Sequence, residues 1–113
     1  MPFINTKVTT EITREKEEVL KARFGNALSL IGKPEAYLML CFEENQRLWF
    51  GGTDDEDAAF VDVSILHTAS RSAYEKLTAE LCTILEEELS IPQSRIYVKY
   101  EETENWGWAS KMF

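Results

Sequence analysis

Few residues of this chain could form a catalytic or metal centre by type and spacing. Its two cysteines, Cys41 and Cys82, lie far apart and no Cys-x-x-Cys occurs. Neither a disulfide framework nor a redox thiol pair is indicated. His67 is the only histidine, too little for a zinc site; at a strand end it reads as a surface or hydrogen-bonding side chain. Asp54-Asp55-Glu56-Asp57 lacks the ligand spacing of a calcium loop and reads as an acidic turn. Gly51-Gly52 also reads as a turn, since no phosphate-loop pattern surrounds it. No metal and no cofactor are expected. Pro2, Lys33, Tyr97 and Trp106-Gly107-Trp108 remain, and each alone has an ordinary reading. Pro2 permits removal of Met1, and Lys33 complements a helix C-terminus. Tyr97 is a core or interface position, and the tryptophans form a hairpin edge. Chemistry from this set requires the residues to act together, and so depends on the elements that position them.

Those elements are duplicated at an offset of 58 residues. Pro34-Glu35-Ala36-Tyr37-Leu38-Met39-Leu40-Cys41-Phe42-Glu43-Glu44 parallels Pro92-Gln93-Ser94-Arg95-Ile96-Tyr97-Val98-Lys99-Tyr100-Glu101-Glu102. Both read as proline, a short spacer and an alternating strand. The same offset sets Phe3-Ile4-Asn5-Thr6 beside Val61-Asp62-Val63-Ser64. A helical segment lies inside each half. The first is predicted from about Thr13 to Ile31, with Leu20, Phe24, Leu28 and Ile31 on one buried face. Thr13 caps it, Glu15 and Glu17 suit its first turn, and Gly32 and Pro34 end it. The second is predicted from about Ser72 to Leu89, with Ser72 and Glu75 as a capping box and Tyr74, Leu77, Leu81 and Leu85 as its stripe. Each half is strand–helix–strand, which gives parallel strands and a right-handed crossover. The fold class is therefore α/β (α+β): two β-α-β units in one four-stranded mixed sheet, with both helices on one face, as a single domain over residues 1–113.

The other sheet face would be bare. Trp49, Phe50, Trp106, Trp108 and Phe113 add apolar surface outside the repeat, so self-association is expected. The net charge of −8 and pI near 4.7 disfavour a phosphate backbone as partner, so no nucleic acid is expected. No stretch approaches the roughly 20 apolar residues of a membrane span, and the start lacks signal-peptide character. A cytoplasmic protein without membrane association is the expectation.

The chain resembles the family of macrophage migration inhibitory factor and dopachrome tautomerase, within the tautomerase superfamily. The resemblance rests on Met1-Pro2-Phe3-Ile4-Asn5-Thr6, Gly32-Lys33-Pro34, Phe50-Gly51-Gly52-Thr53 and Ser64-Ile65. It continues through Ile91-Pro92-Gln93-Ser94-Arg95-Ile96-Tyr97, Asn105-Trp106-Gly107-Trp108 and Phe113. Their order and spacing on a duplicated chain make the match specific. It implies the tautomerase fold, a homotrimer whose sheets wrap a channel, and active sites at subunit interfaces. The implied activity is keto–enol tautomerisation of small α-keto acids such as phenylpyruvate. Pro2, exposed by loss of Met1, would shuttle the proton. Lys33 and the backbone of Ile65 would bind the substrate's carboxylate and oxygens, Tyr97 would enter from a neighbour, and Trp106, Trp108 and Phe113 would form an aromatic wall.

Chemistry supports these roles. Tautomerisation needs a base titrating near neutrality and a stabilised oxyanion. An α-amine starts at about 7.7–8.0, and burial beside a cation lowers it. Only an N-terminal proline makes that amine secondary and holds it in a ring. Three departures from the family pattern stand out. Asp57-Ala58-Ala59-Phe60 replaces the stretch where some members carry a thiol pair, so thiol–disulfide activity is not inherited. Lys99 stands where an asparagine often contacts substrate, adding a second cation. Trp106 replaces a small aliphatic residue and should narrow or flatten the pocket. The alternative function is a cytokine-like or host-interacting signalling protein with a vestigial site, secreted without a signal peptide and partnered by a receptor.

Overall fold

The computed structural model describes residues 1–113. The first strand, β1 (Pro2–Val8), leads into helix α1 (Arg14–Ala27), a 3-10 turn at Leu28–Ile31 and strand β2 (Met39–Glu43). Strand β3 (Ala59–Leu66), helix α2 (Arg71–Leu89) and strand β4 (Ile96–Thr103) repeat the unit. Two short strands follow, β5 (Gly107–Trp108) and β6 (Lys111–Met112), which pair as a hairpin. The main sheet has the order β2-β1-β3-β4. Each half contributes a parallel pair, and the halves meet antiparallel through β1 and β3, as the duplicated unit implies.

Ile4, Val8, Val61, Val63 and Ile65 bury one sheet face against Leu20, Phe24, Leu28, Leu77, Leu81 and Leu85. The helices run antiparallel and are tied by ions as well as by that core. Lys16 and Arg23 reach Glu88 at 3.0 and 2.9 Å, and Arg23 reaches Glu87 at 2.7 Å. No helix is long and apolar enough to cross a membrane.

Three local expectations need correction. The first helix is not continuous to Ile31, because its last four residues tighten into the 3-10 turn before Gly32, whose φ of 68° suits a residue without Cβ. The second helix starts earlier than Ser72. Ser70 is its cap, accepting from the Ala73 N–H at 3.1 Å, so Ser72 and Glu75 form no capping box. Finally, the offset of 58 holds only for part of each unit. Thr13 and Ser70, the helix caps, are 57 apart, and the stripe Leu20, Phe24, Leu28 matches Leu77, Leu81, Leu85 at that spacing. In β1 and β3 the buried sets Pro2, Ile4, Thr6, Val8 and Ala59, Val61, Val63, Ile65 also match at 57. A one-residue slip exchanges the faces of a strand, so the pairing of Ile4 with Asp62 was out of phase. The offset of 58 begins at Gly32 and Ser90, the helix ends, and holds through β2 and β4.

Candidate active site

Pro2 has no N–H to give a ladder, and it stands at the start of a strand, where none is required. It lies opposite Ile65, while Phe3 lies opposite Met39. The start of β1 thus meets the start of β2 and the end of β3. Leu66 pairs with Thr103, which brings the end of β4, and the segment after it, to the same edge. A cleft of about 680 Å³ opens there, with Pro2, Tyr37, Met39, Ser64, Trp106 and Trp108 on its walls.

Two hydrogen bonds meet at Leu66, next to the cleft's edge. The Leu66 N–H donates to the Met1 carbonyl at 3.1 Å, and the Leu66 carbonyl accepts from Lys33 Nζ at 3.1 Å. Gly32 turns the chain so that Lys33 can reach that carbonyl. The Met1 ammonium is held below its ordinary value of 8.0, first by burial and then by the Lys33 charge. No carboxylate lines the cleft, although the chain carries a net charge of −8.

The apolar wall is a three-ring cluster. Trp108 stacks on Phe113 at 5.5 Å, and Tyr37 meets their edges at 5.7 and 6.3 Å. The Phe113 N–H donates to the Trp106 carbonyl at 3.0 Å, which closes the tail onto the hairpin. Tyr37 and Trp108 also line the cleft, so this cluster offers an apolar group a wall to lie against.

Of the residues singled out in the sequence, Pro2, Trp106 and Trp108 line the cleft and Phe113 backs Trp108, while Lys33 is not on its walls and bonds the carbonyl of Leu66, two residues beyond the lining Ser64. The Ile65 side chain is fully buried in the core, and the backbone atoms that touch Met1 and Lys33 belong to Leu66. Tyr97 and Lys99 are not brought to this cleft within one chain. They pair with Phe60 and Asp62, three to five residues back along β3 from Ile65, roughly 10–17 Å at strand spacing. Lys99 is held by Glu101 at 2.9 Å and Asp62 at 3.4 Å, and the Glu101 hydrogen bond leads in raising its pKa.

Tyr37, Met39, Leu66 and Thr103 were missed. A signal for Tyr37 existed in the repeat. Its counterpart is Arg95, and such an unlike pair inside two similar strings marks a place where the halves have taken different work.

The family model described as macrophage migration inhibitory factor (MIF) matches residues 1–112. Macrophage migration inhibitory factor of Xenopus laevis is 30% identical over 86 residues, covering 73% of this chain and 72% of that one. The crystal structure of Leishmania major MIF2 superposes with a TM-score of 0.93 at 31% identity, over 100% of this chain and 97% of that chain. The homologue from Prochlorococcus marinus gives a TM-score of 0.88 at 25% identity, over 98% of both.

Proposed function

The chain belongs to the macrophage migration inhibitory factor family, and from that premise we propose that it is a keto–enol tautomerase of phenylpyruvate-like α-keto acids, with the amine of Pro2 as general acid and base. One observation carries the reading: the chain's first amine lies beside the cleft with its pKa lowered by burial and by Lys33. Loss of Met1 moves that amine onto Pro2, which is already buried at the head of β1. The same cleavage removes the Met1 carbonyl, so the Leu66 N–H becomes an unoccupied donor next to Lys33.

In this reading the substrate carboxylate faces Lys33 and the Leu66 N–H, and its aryl group lies against Tyr37, Trp106 and Trp108. The neutral amine takes a proton from the carbon next to the carbonyl, and the enolate oxygen receives it back, so no atom is gained or lost. The cation and the backbone donor stabilise the charge developing on oxygen. Residues 1–113 act as one domain in a homotrimer. Tyr97 and Lys99, remote from their own cleft, serve a neighbour's.

Intact mass tests the first step, since the active protein should lack Met1. Pro2→Ala should fold normally and lose at least about a hundredfold in turnover, within the range a positioned general base supplies. Full activity in Pro2→Ala, or in a chain with a residue added before Pro2, would overturn the assignment.

A further inference from the structure

We propose that Arg95 is a positioning residue, acting through the Phe50 ring to fix Tyr97 for a neighbouring subunit's cleft. The proposal rests on the tautomerase reading above, in which Tyr97 works in trans.

Arg95 is buried, yet it pairs with no carboxylate. Its Nε donates to the Asp57 carbonyl at 3.1 Å and Nη1 to Thr53 Oγ1 at 3.2 Å. Its Nη2 donates to the carbonyls of Thr53 and Glu56 at 3.1 and 3.2 Å. Four carboxylates stand in this loop, from Asp54 to Asp57, and the guanidinium bonds backbone carbonyls instead. A cation placed only for charge balance would take a carboxylate. A rigid five-donor fork spent on backbone fixes the shape of a loop. Burial with imperfect charge compensation is costly, so the shape has a use.

That use points to Phe50. The turn through Gly51 and Gly52, both at positive φ, is closed by reciprocal Phe50 and Thr53 hydrogen bonds of 2.8 and 3.1 Å. The arginine therefore holds the far side of the turn that carries Phe50. It also lies over the Phe50 ring, 5.5 Å from its centre. The same ring packs against Tyr97, at 4.9 Å between centres and 42° between planes. Tyr97 sits on edge strand β4 and is 60% exposed. Its backbone is fixed by β3, and within the chain Phe50 is the aromatic ring packed against its side chain.

The duplication gives the same picture from another side. At the offset of 58, Arg95 and Tyr97 correspond to Tyr37 and Met39, which line the open cleft of the first half. In the second half the residue at Tyr37's place, Arg95, bonds the carbonyls of Thr53, Glu56 and Asp57 instead. The second unit has exchanged a cleft for a clamp.

The test uses the full chain. Phe50→Leu keeps apolar volume and removes the ring, and Phe50→Trp keeps a ring. Arg95→Lys cannot reproduce the fork. Each is first checked for unchanged sedimentation and circular dichroism. Phe50→Leu should raise KM for phenylpyruvate about tenfold with a smaller change in kcat, as expected of a misplaced binding group. Phe50→Trp should stay near wild type, and Arg95→Lys should follow Phe50→Leu if it folds. The decisive arm co-refolds Phe50→Leu with Pro2→Ala chains. Sites with Pro2 from one chain and an intact clamp from the next should make up about a quarter of the total in a closed heterologous ring. For an equimolar mixture, kcat/KM per chain should therefore approach a quarter of wild type, well above either parent. A correctly assembled Phe50→Leu with wild-type KM overturns the proposal, and so does failure of the mixture to exceed its parents. Undiminished activity in Pro2→Ala alone would instead bring down the tautomerase reading, and this inference with it.

Discussion

At the residue scale, the two lysines differ in their partners: a backbone carbonyl for Lys33 and two carboxylates for Lys99. Lys33 donates to the carbonyl of Leu66, whose N–H donates to the Met1 carbonyl, and its charge contributes to lowering the first amine. Lys33→Ala removes its share of that depression and leaves the larger share, which comes from burial. The free amine then stays protonated to higher pH, and the acidic limb of kcat/KM moves upward. KM for an acidic substrate should also rise about tenfold, since a hydrogen bond to a charged group is worth about 1.5–3 kcal/mol. A pH–rate series on the two proteins checks both effects, and an unmoved limb would detach Lys33 from the base. Lys99 is compensated by two carboxylates, so Lys99→Asn should shift the limb the same way but less. If KM, pH profile and substrate preference all stay put, Lys99 is only an ion pair on the sheet. The sequence made Pro2, Lys33 and the tryptophans legible because they fall in short strings of recognisable order. It hid Leu66, whose contribution is backbone geometry and could have been made by any side chain.

At the element scale, the tail hairpin is the least comfortable part of the site. Ala109 and Ser110 form the turn between β5 and β6, with φ of 52° and 69°. Two positive φ values match the twist of a two-residue hairpin, which favours Asn-Gly rather than Ala-Ser. A left-handed conformation costs an ordinary residue about 1 kcal/mol. Ser110→Gly should recover much of that and slow amide exchange of Phe113, whose N–H closes the tail onto Trp106. Unchanged or faster exchange would show that the strain is already relieved elsewhere. The turn carries no glycine or asparagine, so the sequence held no sign of it. The helices were legible through their apolar spacing, but the slip between 57 and 58 was not. Unit one spends fourteen α-helical and four 3-10 residues where unit two spends nineteen α-helical ones. Tighter winding absorbs the missing residue, and a single repeat offset cannot express a change of winding.

At the scale of the whole molecule, the face opposite the helices determines how copies can assemble. A polar row crosses its middle, with Cys41 beside Asn5, Asn5 beside Asp62, and Asp62 beside Lys99. Asn5 Oδ1 and Asp62 Oδ1 are shielded and have no hydrogen-bond partner within the chain. A dry contact across this row would leave such oxygens uncompensated. The large apolar groups stand elsewhere. Met39 on edge strand β2 is 67% exposed, Trp49 is 68% exposed, and Tyr97 lies on the opposite edge strand. Contact along the edges, with the polar row left facing water in the middle, satisfies both sets. Such contacts are compatible with the ring of sheets around a channel that the family resemblance implies, and the homotrimer proposed above predicts one sedimenting species of three chains at micromolar concentration. The two free cysteines test the channel itself. Cys82 is buried between helix and sheet, and burial raises its pKa, so it should resist thiol reagents until the protein unfolds. Cys41 lies on the bare face in the polar row and is only partly shielded within the chain. In a ring with a wet interior, a small thiol reagent should modify one cysteine per chain without dissociating the assembly, and Cys41→Ser should abolish that reaction. Protection of both thiols in the native assembly would mean that the face is packed dry. A clean monomer would remove the interfacial site altogether.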